Sequence, residues 1–448
     1  VSQPKPLWRS YLAFLAPMMV SNILQALFGT LNSVYLGQMI GVNALAAASV
    51  FFPVMFFFIA FIMGLSSGTT VLVGQAFGAG DLARVRRIAG GALGIAVLGG
   101  GVIALASLAA RPLLVALATP PDILDAAVGY ARIMMLAMPV TFVFILATSI
   151  IRGVSDTVTP LLALLLSTAL GLALTPALIA GWAGLPRLGV ASAAVASLVS
   201  SLVTLAALAL FLRLRRHPLA PDAGMARGLL PAPALARTIA RLGLPSAIQI
   251  AAMALAELVL VGLVNSYGPA AAAAYGAVNQ IMSYVQFPAL SIAISASIFA
   301  SQAIGRGETR LLSQITRTGL ALNLVLTGGL AALAYALSRG VIGLFITAPE
   351  VVDLAQQLLH VVLWSTVIFG MSGVLSAIMR ASGTVFMPML LSIAAIAFVE
   401  VPAALVLSRL IGIEGIWAAY PITFCATFLL QAGYYRLVWR HRPIVRLV

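Results

Sequence analysis

The chain alternates long apolar runs with short polar breaks, and the length of the runs sets its class. Twelve apolar segments can be read, at about 11–36, 45–76, 88–110, 130–152, 160–182, 189–212, 242–266, 272–303, 316–338, 358–379, 387–410 and 412–435. Each is near or above the ~20 residues that a helix needs to cross a bilayer. Segments two and eight are long enough to tilt or protrude. The ten-residue alternating strands of a membrane barrel are not visible. The pattern predicts an all-α integral membrane protein of twelve transmembrane helices.

The polar punctuation repeats. A shift of 227 or 228 places Pro17 on Pro245, Gly41 on Gly268, Gln75-Ala-Phe-Gly78 on Gln302-Ala-Ile-Gly305, Arg152 on Arg380 and Pro160 on Pro388. Pro121, Asp122 and Asp125 fall on Pro349, Glu350 and Asp353. Chance is a poor explanation for a register held over so long a stretch. Six helices per copy, an even number, let both copies enter the membrane in the same sense. The expected organisation is two pseudo-symmetric six-helix bundles: residues 1–212, a cytoplasmic linker 213–241, and residues 242–448. The proline-containing linker is expected to let one bundle move against the other.

Composition agrees with a lipid solvent. Hydrophobic residues make up 62% and charged residues 8% of 448, against the ~25% charge of a soluble chain. The net charge of +14 could suggest nucleic acid. Its residues lie in short loops, however, which is the pattern that orients membrane helices. With both termini in the cytoplasm, twenty of the 25 Lys and Arg residues fall on the inner side. Residues 1–8 lack the pattern of a cleaved signal peptide, so the first segment is expected as a retained helix. The arginine-rich composition, with lysine at Lys5 only, points to a bacterial inner (plasma) membrane. Partners are then the lipid bilayer and a small molecule, with no nucleic acid.

A duplicated bundle suits alternating access. No G-x-x-x-x-G-K-[ST] phosphate loop occurs, so transport would draw on an ion gradient or on a partner. Two carboxylates, Glu257 and Glu400, fall well inside segments seven and eleven. A charge at that depth is costly, and such residues usually serve transport. Either could exchange a proton for a cationic substrate or a sodium ion. Gln249, Met253 and Glu257 follow helical spacing with Ser246, and Gln25 and Asn32 do so with Ser21 and Phe28. Asn279, Gln280 and Tyr284 add polar positions in segment eight. These nine residues (Glu257, Glu400, Asn32, Gln25, Gln249, Met253, Asn279, Gln280, Tyr284) form the candidate ion and substrate site.

Pro17, Pro53, Pro139, Pro176, Pro245, Pro288 and Pro402 are expected to bend helices. Gly64-Leu-Ser66-Ser-Gly68 matches a hydrolase pattern, but it lies in a spanning helix. It is read as small residues for helix packing. His217, His360 and His441 with Cys425 make no metal spacing. Neither an enzyme nor a bound cofactor is expected.

The run Gly64-Leu-Ser-Ser-Gly68-Thr-Thr-Val-Leu-Val-Gly74-Gln75-Ala-Phe-Gly78-Ala-Gly80-Asp81 resembles the second-helix signature of the MATE multidrug and toxin extrusion family. Ile151-Arg152-Gly153-Val-Ser155-Asp156-Thr157 with Pro160 resembles its "RG-x-GDT" turn, with Ser155 in place of a glycine. Gly412-Ile-Glu-Gly415-Ile-Trp417 resembles its last-helix entry. The resemblance implies twelve helices in two lobes, monomeric action, and efflux of organic cations or drugs, a cationic amphiphilic small molecule, against protons or sodium. It also exposes departures. The helix-one aspartate of many members is Asn32 here, and the helix-five partner is Thr175. The helix-seven glutamate of one branch falls near Met253, one turn before Glu257. That branch's helix-ten acid is absent near Phe369. Coupling is therefore expected on Glu257 and Glu400. The rival reading is an exporter or flippase of a cell metabolite or lipid-linked precursor.

Overall fold

The structure is a computed structural model that describes residues 6–447, and no strand occurs among the described residues. The spanning helices begin with α1 Leu7–Met39, α2 Phe52–Gly78, α3 Leu82–Ala116, α4 Pro121–Gly153, α5 Val158–Ala180 and α6 Ala191–Leu214. The second half brings α7 Pro233–Asn265, α8 Pro269–Arg306 and α9 Leu311–Ala336. Helix α10 is a pair, Pro349–Val362 and Ser365–Ala381, bent by 41°. Helices α11 Phe386–Ile411 and α12 Ile413–Leu437 close the chain. In a bilayer each backbone polar group must be satisfied internally, which is why runs this apolar settle as helices.

Three details differ from the sequence reading. Segment ten, read as one continuous run at 358–379, contains the break of α10 at Leu363 and Trp364. Segment two joins α2 to a separate short helix, Val42–Ser49. Pro53 therefore starts a helix, where the missing N–H costs nothing, and does not bend one. Pro17, Pro139, Pro176, Pro245 and Pro288 do lie inside helices. Pro402 lies two residues past the end of a π-helical turn, Ile396–Glu400, in α11.

The repeat reappears in the backbone. Gly80 and Gly307 both take a left-handed conformation, at φ 77° and 79°. Ser155 and Gly383 do so as well, at φ 66° and 85°. The position where Ser155 replaces the family glycine thus demands a conformation that costs a side chain energy.

The chain forms two compact bodies. One is Val20–Ala247; the other takes the chain through Met19 and from Ile248 onward. The two switch points lie 228 residues apart, which is the repeat offset, and each follows a helix proline, Pro17 or Pro245, by two or three residues.

In the first body, the opening half of α7 packs on α2. A Cβ at Gly64 would come within 2.5 Å of the Ala247 nitrogen, and one at Gly68 within 2.9 Å of the Gly243 nitrogen. The hydrolase-like pattern is therefore a packing face, as read from the sequence. Helices α3 and α4 touch backbone to backbone where Gly100 meets Pro139.

The segment after α6, read from the sequence as the connection between the bundles, is docked on the first body. The backbone of Met225–Leu229 lies over Gly90 and Gly94 of α3. A Cβ at Gly90 would meet the Met225 carbonyl at 2.6 Å, and one at Gly94 would overlap the Leu229 carbonyl. Arg86 donates from Nε to the Pro218 carbonyl at 2.9 Å and pairs with Asp222 at 3.1 Å. His217 faces Asp156 at 3.5 Å. Asp156 also accepts from the Val158 and Thr159 amides, capping α5. Partial burial alone would raise the Asp156 carboxyl. The hydrogen bonds from His217 and Thr159 and the His217 charge outweigh it and hold the group at about 2.

In the second body, the opening half of α1 packs on α8 and α9. The Tyr11 hydroxyl donates to the Ile315 carbonyl at 3.1 Å, and its ring meets Phe299 edge-on at 4.8 Å. The segment after α12 lies over the turn at Gly383. Leu447 touches that glycine, and the Trp439 indole donates to Ser382 at 3.0 Å. Each body thus carries a trailing segment laid over its repeat-equivalent turn.

Candidate functional site

Glu257 lies in α7, three residues before the fully buried Leu260, and its side chain is half-buried. Four residues and eight residues earlier come Met253 and Gln249, as the helical spacing predicts. The carboxylate is met entirely by donors. Tyr275 of α8 donates to Oε1, and Asn279, one turn further along α8, donates to the same oxygen at 2.8 Å. Tyr420 of α12 reaches Oε2 at 3.2 Å. The two tyrosine hydroxyls are 2.6 Å apart. The Tyr275 ring is stacked on Trp417, with centroids 5.9 Å apart and planes 12° from parallel. Charge-assisted bonds of this kind are about twice as strong as neutral ones, which suits an acid kept out of water.

Glu400 ends the π-helical turn of α11 and is buried at 8% exposure. It lies within electrostatic reach of both Glu257 and Tyr420. Four helices, α7, α8, α11 and α12, therefore bring two acids and two phenols into one neighbourhood. π-Helical turns of this sort are frequent at functional sites.

Gln249 belongs to a second polar knot. Its amide nitrogen, Nε2, donates to Ser392 of α11 at 3.1 Å, and Gln431 of α12 donates to the same hydroxyl at 3.0 Å. The knot fixes α7 to the two helices that carry Glu400 and Tyr420. Asn32 sits in the other body, where Thr175 donates to it at 3.2 Å. The remaining candidates are not drawn in. Gln25 and Met253 are exposed, Gln280 is half-buried, and Tyr284 packs edge-on against Phe287. No group of three or more His, Cys, Asp or Glu side chains able to hold a metal occurs among the described residues. An apolar crevice of about 560 Å³ opens between α9 and α10, lined by Gly328, Tyr335 and Trp364 among others. It contains none of the candidates.

Tyr275 and Tyr420 escaped the sequence reading. The available signal was slight: Tyr275 precedes Asn279 by one helical turn, so the two share a face.

Twelve spanning helices in two repeats, with acids held inside one of them, have the build of a secondary membrane transporter. The MatE family model matches residues 17–177 and again residues 245–406, and the chain belongs to that family. The two matches begin at Pro17 and Pro245, the same offset as the internal repeat. The chain is 41% identical over 444 residues to "Probable multidrug resistance protein YoeA" of Bacillus subtilis (strain 168), covering 98% of this chain and 96% of the relative. It is 25% identical to "Probable multidrug resistance protein YpnP" of the same organism, over 94% of this chain and 93% of the relative. Among solved structures, a mutant of the Vibrio cholerae MATE transporter VcmN superposes with a TM-score of 0.87 at 21% identity, covering 98% of both chains. The protein is a multi-pass membrane transporter of the MATE multidrug efflux family, and it is not an enzyme.

Proposed function

We propose that this protein is an antiporter that exports organic, amphiphilic cations in exchange for protons or sodium ions by alternating access. It works as a monomer in the bacterial plasma membrane with both termini cytoplasmic, and Glu257 with Glu400 carries the coupling. The observation that carries the reading is the setting of Glu257. A carboxylate inside a spanning helix is ringed by three donors from two other helices. A cation or proton arriving at Glu257 neutralises it and relaxes that ring, so occupancy and helix packing are linked. The pair at the family's other coupling position, Asn32 and Thr175, is neutral and bonded to itself.

The test is reconstitution of the purified protein in proteoliposomes loaded with a fluorescent organic cation. An imposed proton gradient and an imposed sodium gradient are applied separately. Cation movement driven by one gradient and not by the other supports the reading and identifies the ion. Cation movement indifferent to both gradients overturns it.

A further inference from the structure

The segment that follows α12 is basic and firmly anchored. Trp439 is buried, stacks on Tyr435 with ring centroids 5.0 Å apart, and donates to Ser382 at 3.0 Å. Ile444 packs against the same core. Further on, Leu447 touches Gly383 in the turn after α10, and the Arg446 guanidinium lies beside Gly307 in the turn after α8. The segment is a strap laid across the ends of α8, α10 and α12 of the second body.

With the anchors turned inward, the cations face out. Arg436, Arg440, Arg442 and Arg446 are all exposed. Residues 436–447 contain no Asp or Glu. None of the four arginines enters an ion pair among the described residues. Glu308, in the turn that Arg446 reaches, is taken by Arg306 at 2.8 Å. The linker of the first body differs, because it contains Asp222 and pairs it with Arg86. Interleaved with the strap arginines are two exposed apolar side chains, Leu437 at 78% and Val445 at 71%.

Position and charge say what covers this face. The strap begins where a spanning helix ends, which is the level of the lipid headgroups. Cations alternating with apolar side chains at that level fit a surface that offers phosphate charge and acyl chain together. Four or more arginines beside a spanning helix attract anionic lipid. A free phosphate would meet the arginines and leave Leu437 and Val445 in water.

We propose that the strap is a docking site for anionic phospholipid, with headgroup phosphates on its arginines and Leu437 and Val445 in the acyl boundary. The guanidinium fork matches phosphate oxygens two at a time. Because the strap is pinned to three helix ends, lipid bound there holds those ends together and stabilises the second body. The site is remote in sequence from Glu257 and serves whichever ion is coupled.

The experiment titrates the full chain in a neutral detergent with short-chain phosphatidylglycerol and reads the thermal midpoint. Phosphatidylcholine of the same chain length and inorganic phosphate are titrated in parallel. Phosphatidylglycerol should raise the wild-type midpoint, and the other two should not. The rise should fade at high salt. In Arg436→Gln/Arg440→Gln/Arg442→Gln, the phosphatidylglycerol needed for the same rise should increase by on the order of a hundredfold, about fivefold per arginine. The corresponding triple Lys variant keeps the charge and should restore most of the response. Arg84→Gln/Arg87→Gln/Arg237→Gln removes the same charge from exposed positions of the first body and should respond as wild type does. The proposal is overturned if phosphatidylcholine or inorganic phosphate gives the same rise, if the strap variant responds as wild type does, or if the first-body variant loses as much as the strap variant.

Discussion

Thr175 donates a hydrogen bond from its hydroxyl to Oδ1 of Asn32 at 3.2 Å, tying α5 to α1. Two positions where the MATE resemblance leads one to expect acids are thus an amide and an alcohol. Neither can hold or release a proton in the physiological range. Asn32→Asp keeps the size of the side chain and the bond from Thr175 while adding a titratable carboxyl. The expected outcome is a second, Glu257-independent step in the pH profile of efflux. An unchanged profile would show that this body takes no part in ion handling.

The docking of the linker predicts a pH-dependent stability. Asp156 is held at about 2, below its ordinary 3.8. A group depressed in the folded state stabilises it above the unfolded value, and that stability fades as the pH falls from about 4 toward 2. Its side chain is 24% exposed, so the shift corresponds to roughly 2 kcal/mol at neutral pH. Asp156→Asn should lower the thermal midpoint in detergent at pH 7. The difference from wild type should shrink on acidification.

Ser155 sits at φ 66° where Gly383, its repeat partner, sits at φ 85°. A left-handed conformation costs a non-glycine residue about 1–2 kcal/mol, and a β-branched one more. Ser155 already bears that cost, so Ser155→Gly should relieve it and stabilise the α4–α5 turn by about 1 kcal/mol. Thermal unfolding of the detergent-solubilised protein measures it, and a midpoint equal to wild type would contradict the strain.

Gly94 marks where the linker backbone seats on α3. A Cβ there would overlap the Leu229 carbonyl oxygen. Backbone cannot give way as a side chain tip can, so Gly94→Leu should cost about 1–3 kcal/mol or expel the linker. Protease cleavage within residues 216–232 reads the second outcome directly: rapid in the variant and slow in wild type. Equal cleavage rates would mean that the seat does not hold the segment.

What the chain discloses without a structure follows from the physics of each feature. The spanning helices were legible because each run exceeds bilayer thickness, and the repeat because prolines, glycines and loop charges hold one offset. The break in α10 was not legible: Leu363 and Trp364 are as apolar as their neighbours, and no proline or glycine marks the bend. The seat of the linker on α3 was not legible either, because its prolines mark a break between helices and nothing about what the segment touches. Its partner stripe, Gly90, Gly91 and Gly94, lies on another helix. Glu257 and Glu400 stood out as carboxylates in apolar runs. Tyr275 and Tyr420 did not, since aromatic residues are common in membrane helices for unrelated reasons.

The central claim is that Glu257 couples substrate movement to an ion gradient. The most direct measurement compares wild type with Glu257→Gln in proteoliposomes, in two modes: uphill efflux driven by the gradient, and downhill exchange of substrate without one. The account predicts that Glu257→Gln keeps downhill exchange and loses uphill efflux. Uphill efflux that survives the substitution unchanged would contradict it.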